Sequence, residues 1–325
     1  MTESPALNQV WPEKKAALIA ASLESSRVIK EIFAPFSWEL EIFIEQETAA
    51  LQSITKGKNY LLIYEEPEQD SVYEFIRKIN REPQFLSTPL MMFLKPNSYT
   101  HQNIYKSLSI AALFSTPPSP SKATPTIAKF LSFWETTDFK LLRACNYHDI
   151  KGNQEQSNKF LASLIEQKGL LGSIASRILA LKLEKKSQVD EAEKVLINAI
   201  KIAPQNLGLL LMLGEFYLNY NLPQLALKVF QSALRTSNNF PPLLLDIIQA
   251  KFALKKYPDT LESLITLSDS KFFQIEALCN LYKIYMMRGI QSSALKLEQK
   301  NLEATKHISK DWRNLNYENK IITAS

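Results

Sequence analysis

A unit of helical hairpin sequence that recurs along the second half of the chain constrains its fold most strongly. The clearest copy, Leu207–Phe240, contains two apolar helical runs separated by a short break at Asn219–Pro223. One hairpin of this kind cannot bury its apolar face alone, whereas stacked copies bury a continuous core. The sequence therefore predicts tandem antiparallel helix pairs. Successive frames without an inserted residue give the copies 173–206, 207–240, 241–274 and 275–308.

Small and large side chains are placed in the clearest copy so that its two helices can pack closely. Gly214 and Ala226 let the backbones approach, and Tyr217 and Phe230 fill the remaining space. These residues resemble the tetratricopeptide repeat (TPR) family, although Leu210 stands where that family often has Trp. The resemblance implies an α-solenoid whose first helices line a concave groove for a protein or peptide.

The same resemblance assigns groove positions on the first helix of each repeat. Because this lining is mostly apolar, an amphipathic or extended apolar peptide is the expected ligand. The alternative is that the superhelix of the array, or the C-terminal segment, covers some of these side chains. The assigned residues are Arg177, Leu181, Leu211, Glu215, Leu218, Asn219, Leu245, Gln249, Phe252, Lys283, Met286 and Met287.

Five β-α units precede the repeats. The apolar runs AALIAA, NYLLIYEE, TPLMMFLKP and AALFST indicate buried strands, and ELEIFIE alternates as an edge or half-exposed strand does. Helical patterns between them predict right-handed crossovers and a parallel sheet covered on both faces. The stretch YLLIYEEP…SVYEFIRKIN…TPLMMFL resembles the receiver domain of bacterial response regulators. This implies a flavodoxin-like (βα)5 domain over 14–135, so the chain is expected to combine an α/β domain with an all-α array.

The receiver resemblance also implies a phosphorylation site, whose chemistry this chain lacks. In that family an acidic pair binds Mg²⁺, an Asp accepts the phosphoryl group, and Thr or Ser and Lys contact its oxygens. We therefore expect a phosphorylation-incompetent pseudo-receiver without a metal ion. Two readings of Glu65 remain: it imitates the phosphorylated state, or it is a solvated carboxylate, with Glu66, at a strand end. The corresponding positions are Ala21, Ser22, Glu65, Leu94 and Thr116.

The remaining segments are assigned from composition and position. Residues 1–13 are expected to be a flexible tail, 136–172 a helical pair joining the sheet domain to the array, and 309–325 a C-terminal capping segment and tail. Ser115–Pro125 has four prolines and is expected to be an extended loop. The receiver resemblance implies homodimerisation through Tyr105, Leu108 and Leu113.

Composition argues against several function classes. The 325 residues include 38 basic and 33 acidic side chains without a concentrated basic stripe, so nucleic-acid binding is not expected. His101, His148 and His307 form no nucleophile or metal pattern, and no Gly-rich phosphate loop is present. Cys145 and Cys279 are expected to be buried core residues. The absence of a secretory pattern or a bilayer-length apolar run predicts a cytoplasmic protein without a membrane span.

The leading hypothesis is a non-catalytic scaffold or adaptor in bacterial two-component signalling, with no cofactor. It would bind protein partners through a TPR groove and a degenerate receiver domain. One alternative is a phosphorylation-controlled response regulator with a TPR output domain. A second alternative is a nucleic-acid-binding regulator.

Overall fold

The computed structural model describes residues 14–67, 72–99, 101–108, 111–167, 169–237, 240, 243–254 and 260. The chain divides into two compact units, Met1–Leu209 and Leu210–Ser325. The predictions for 1–13, 275–308 and 309–325 lie outside the described residues. So do those for Lys283, Met286, Met287, Cys279 and His307.

The first unit begins with a doubly wound α/β domain. Its strands are β1 (Lys15–Ala20), β2 (Glu39–Ile44), β3 (Leu61–Glu65), β4 (Leu90–Leu94) and β5 (Ala111–Ser115). Its helices are α1 (Leu23–Phe33), α2 (Glu47–Thr55), α3 (Val72–Ile79), α4 (Pro83–Leu86), α5 (Pro96–Tyr99), α6 (Gln102–Leu108) and α7 (Pro120–Trp134). The strands pair in parallel in the order β2-β1-β3-β4-β5, one of the two common doubly wound orders. The prediction of a five-stranded parallel sheet is confirmed.

Strand burial follows position in the sheet. Every residue of β3 and β4 is buried, as continuous apolar runs predict for strands covered on both faces. One core cluster joins β1, β3, β4 and β5 to α1 and α7, with Leu18, Phe93, Ile29 and Ile127 among its members. β2 lies at one end of the sheet and keeps exposed residues, in agreement with its alternating sequence.

Helix α7 begins earlier than the sequence predicts. It starts at Pro120, so the expected extended loop over Ser115–Pro125 is wrong in its second half. Proline is tolerated in the first helical turn because no acceptor is needed there for its missing N–H. Ala123 and Ile127 of α7 are buried in the sheet core, which compensates for Pro125 inside the helix.

Four more helices complete the first unit. They are α8 (Thr137–Ile150), α9 (Gln154–Ile165), α10 (Leu170–Lys185) and α11 (Val189–Ile202). Helix α8 packs on α9, α9 on α10, and α10 on α11. Helix α10 also packs on α4 of the sheet domain, and the first compact unit extends through Leu209.

The next helices are α12 (Leu207–Asn219), α13 (Pro223–Thr236) and α14 (Leu243–Ala253). A Cβ atom at Gly214 would lie 2.3 Å from Cε1 of Phe230, so α12 and α13 are in the close contact that the sequence predicts. Ala226, Phe230 and Ala233 are buried, and α13 also packs on α14. Within the described ranges, no helix is both long and apolar enough to cross a membrane.

Candidate functional site

The receiver-like positions lie where the strands end at the carboxyl edge of the sheet. Glu65 and Leu94 are the last residues of β3 and β4, and Thr116 follows β5. The backbone N–H of Ala21, after β1, donates to Glu65, and the N–H of Thr116 donates to the Leu94 carbonyl at 2.7 Å. The Thr116 hydroxyl donates to the same carbonyl at 3.2 Å. The structure thus places Ala21 beside Glu65 and Leu94 beside Thr116.

The carboxylate of Glu65 is bound at the start of α1. Its Oε2 accepts hydrogen bonds from the Ala21 N–H at 2.8 Å and from the Ser25 hydroxyl at 2.6 Å. Ser22 caps α1, and Ser25 completes the capping box by accepting from the Ser22 N–H. A negative charge is favoured here by the unpaired N–H groups and dipole of the helix N-terminus. Glu65 therefore holds the loop after β1 in place.

The carboxylate of Glu66 is bound on the opposite side of the chain. Its Oε2 accepts from the Lys95 N–H at 2.6 Å, and its Oε1 accepts from the Ser98 hydroxyl at 2.5 Å. Successive side chains of an extended chain point to opposite faces, so the two carboxylates bind different loops. Glu65 is 8% exposed and Glu66 2% exposed, so the reading of both as solvated carboxylates is wrong.

The donors at this edge determine what it can do chemically. Both carboxylates accept from neutral backbone N–H and serine O–H groups. A phosphorylation site would instead combine carboxylates with a divalent cation and place a cation beside the phosphoryl oxygens. In the part of the chain that the structure describes, no three His, Cys, Asp or Glu side chains are grouped as metal ligands would be. The two carboxylates hold the loops after β1 and β4 in place. The sequence does not predict this role, because the serines that donate to them, Ser25 and Ser98, lie on other elements of the chain.

Arg177 does not line an accessible groove, and that expectation is wrong. Its side chain is 3% exposed, and its Nη1 donates to the Leu108 carbonyl at 3.1 Å. This carbonyl lies in the last turn of α6, where the C=O groups have no N–H donor within the helix. A Cβ at Gly208 would lie 2.8 Å from the same Nη1. At the end of α10, Lys185 pairs with Glu82 at 2.7 Å. The first helix of the first repeat thus faces the sheet domain.

Among the groove positions that the structure describes, the apolar residues do not form an open strip. Leu211, Leu245 and Phe252 are all buried. Their burial agrees with the alternative that the chain covers part of this face. Exposure is greatest at Asn219, and the remaining groove positions that the structure describes are partly buried: Leu181, Glu215, Leu218 and Gln249.

The expected dimer face is also wrong. Tyr105 and Leu108 are buried on the inner side of α6, and Leu113 is buried in β5. These side chains belong to the interior of the first unit, and a second copy could not reach them without unfolding it. The Leu108 carbonyl is occupied as well, by Arg177 and by the Asn80 amide at 3.3 Å.

A buried ion pair ties three helices of the first unit together. Lys182 of α10 donates to Oδ1 of Asp149 in α8 at 2.7 Å and to the Ser157 hydroxyl in α9 at 2.9 Å.

Burial, and next the charge of Asp149, raise the pKa of the nearby Cys145 thiol to about 12. Cys145 is thus the buried core residue that its helical position predicts, with little nucleophilic thiolate. Burial lowers the pKa of the Arg143 guanidinium to about 10, and the negative charge of Glu135 acts in the opposite direction.

A mostly apolar cleft of about 130 Å³ opens between the end of α9, α10 and α11. Serine hydroxyls in its lining are already used, because Ser173 donates to the Gly169 carbonyl and Ser176 to the Gly172 carbonyl. Ile202, on its rim, is 61% exposed. Its apolar lining includes Ile165, Leu179, Val195, Ala199 and Ile202.

Comparisons with known proteins return structural similarity only. No protein-family model matches the chain, and no curated protein matches it. Among solved structures, pilF of Pseudomonas aeruginosa is 10% identical with a TM-score of 0.39, over 73% of this chain and 95% of that one. Human IFIT1, in a dimer with PPP-AAAA, is 12% identical with a TM-score of 0.38, over 72% of this chain and 54% of that one.

The APC/C hetero-tetramer Cut9–Hcn1 is 12% identical with a TM-score of 0.36, over 87% of this chain and 49% of that one. The chain thus spans about half the length of the last two matches. All three are TPR proteins. Within this chain, α12 and α13 form a helical hairpin by their own packing, in which the Phe230 ring lies against Gly214.

Proposed function

We propose that this chain is a non-catalytic scaffold that binds protein partners through its helical hairpins. Its sheet domain is a receiver-like module that does not undergo phosphorylation. The observation that supports the absence of phosphorylation is that Glu65 and Glu66 already accept hydrogen bonds from serine hydroxyls and backbone N–H groups of the protein itself. Bacterial signalling in the cytoplasm is the setting that the receiver resemblance implies, and it forms part of the proposal.

Partner binding is proposed for the helical hairpins because apolar surface is exposed there. Ile202 is 61% exposed and Leu170 is 45% exposed, and Ile202 borders the cleft between α9, α10 and α11. Exposed apolar surface around a concavity is typical of protein interaction sites. The cleft replaces the strip through Leu211, Leu245 and Phe252 as the proposed contact, because those side chains are buried.

Treatment with a small phosphodonor and Mg²⁺ separates the scaffold from a phosphorylation-controlled regulator. The full chain should gain no phosphoryl mass, because Glu65 is engaged at α1 and Leu94 and Thr116 supply no cation. It should also bind no fluoride mimic of a phosphoryl group. A stoichiometric adduct that disappears in Glu65→Gln would establish the regulator instead.

Site-specific photo-crosslinking in native lysate tests the partner surface. A crosslinking amino acid at Ile202 should yield discrete protein adducts. The same group at Leu23 of α1, which is 65% exposed and equally apolar, is the matched control and should yield far fewer. Equal yields at both positions, or none at Ile202, would contradict binding through the hairpins.

A further inference from the structure

The outer edge of β2 carries backbone groups that no described strand pairs. β2 has β1 as its neighbour on one side. The N–H groups of Glu39 and Glu45 point towards β1 and donate to the carbonyls of Lys14 at 2.8 Å and Ala20 at 3.2 Å. Because these directions alternate along a strand, the backbone groups of the even-numbered residues point outward. These residues are Leu40, Ile42 and Ile44.

The side chains give this edge two chemically different faces. Leu40 packs against the core beneath α1 and α7, and Ile42, on the same face, is 37% exposed. On the other face, Glu39 is exposed, and Glu41 accepts from the Asn59 amide at 2.6 Å. Asn59 in turn donates to Ser53 of α2. The edge is therefore apolar on the α1 side, whereas the α2 side carries two exposed carboxylates, Glu39 and Glu41, followed by the half-buried Phe43.

Charge selects what can pair with this edge. Four carboxylates occur between Glu39 and Glu47, and ion pairs with Lys15 and Lys78 involve two of them. A second copy pairing antiparallel about Ile42 would set Glu39 opposite Glu45, and such like-charged pairs are destabilising. At the other end of the sheet, the central residues of β5 are buried, in contrast to the exposed Glu39, Glu41 and Ile42 of β2.

We propose that the β2 edge binds an extended peptide in which Lys or Arg alternates with apolar residues. The peptide adds a sixth strand whose main chain pairs with Leu40, Ile42 and Ile44. Its basic side chains face Glu39 and Glu41. Its apolar side chains lie beside Ile42 on the opposite face. This interaction is separate from the helical hairpins and does not depend on the scaffold proposal.

A short synthetic peptide of alternating Lys and Val, labelled with a fluorophore, tests the proposal by anisotropy with the full chain. A peptide of the same composition without alternation should bind more weakly. Ile42→Pro should weaken binding on the order of tenfold relative to Ile42→Ala. Both variants lose the isoleucine side chain, but only proline removes the outward N–H, and the bonds to β1 remain.

Circular dichroism and a melting curve establish that Ile42→Pro is folded. If it is not, Glu39→Lys compared with Glu39→Gln takes its place, and the charge reversal should weaken binding several-fold. Equal binding of the non-alternating peptide, or equal binding by the paired variants, would overturn the proposal. So would the absence of binding to the unaltered protein. None of these results bears on crosslinking from Ile202.

Discussion

The carboxyl end of the sheet and the α12–α13 hairpin are both closed to solvent, but by different interactions. At the sheet, Glu65 and Glu66 accept hydrogen bonds from loop N–H groups and from serines. In the hairpin, the ring of Phe230 fills the place that a side chain at Gly214 would take. The first closure depends on the number of buried donors and acceptors, and the second depends on the volume of one side chain.

Adding side-chain volume at Gly214 should therefore have the largest effect on stability. Gly214→Val places atoms within the space of the Phe230 ring, and we expect the free energy of unfolding to fall by about 3 kcal/mol. Urea unfolding followed by circular dichroism measures this change. Phe230→Leu in the same chain should recover part of the loss, since the two positions share one space.

The matched control for Gly214→Val is Lys228→Val, which adds the same residue type on the exposed face of α13. We expect it to change the free energy of unfolding by at most about 0.5 kcal/mol. Because valine is a better helix former than glycine, helix propensity alone would make Gly214→Val slightly stabilising. If both valines cost the same small amount, the contact with Phe230 would not limit side-chain volume at position 214, and the contrast between the two regions would fail.

Periodic packing features were predictable from the sequence. The continuous apolar runs located the buried strands, the alternation in ELEIFIE located the edge strand, and the spacing of Gly214 and Phe230 located the close helix contact. Each of these depends on neighbours in the same strand or hairpin, so the local pattern contains the information.

Features that depend on which distant element covers a surface were not predictable. The period of α10 indicates which side of the helix Arg177 occupies, but not that the Leu108 carbonyl lies there. The same gap explains the wrong assignment of Tyr105 and Leu108 to a dimer face. At the sheet end, nothing in the pattern of β3 showed that Ser98 would reach Glu66.

Removing an acceptor at the sheet end should have an intermediate effect. Glu66→Ala leaves the Lys95 N–H and the Ser98 hydroxyl without their buried acceptor, and we expect a loss of about 2 kcal/mol. Glu66→Gln should lose about 1 kcal/mol, because an amide oxygen can still accept from Lys95 while the Ser98 hydroxyl turns to accept from the amide nitrogen.

The comparison of these two variants isolates hydrogen bonding from side-chain size. Urea unfolding measures the loss of stability, and hydrogen exchange at the Lys95 amide should accelerate more in Glu66→Ala than in Glu66→Gln. Equal losses in both would mean that charge, not the number of acceptors, holds this end of the sheet. Glu65→Ala should cost less than Glu66→Ala, because Glu65 is the more exposed of the two.

The smallest effect is expected where a charged pair is open to water. Glu155 and Lys159 form an ion pair at 2.8 Å on α9, and the hydrogen bond from Lys159, followed by its charge, lowers the pKa of Glu155. A lowered pKa in the folded state adds stability above the usual value of 4.5, and that stability is lost as the pH falls through the folded pKa. Because both side chains are exposed, water and salt screen the pair.

We therefore expect Glu155→Gln and Lys159→Gln to have the same melting temperature as the unaltered chain, within experimental error, from neutral pH to below 4.5. Thermal unfolding across this range measures the difference, and the double variant tests for coupling. A difference in melting temperature that is present above pH 4.5 in both single variants, and that closes as the pH falls below 4.5, would show that an exposed ion pair stabilises this chain. In that case, burial would not explain why the carboxylates at the sheet end contribute more to stability than those on the helical surface.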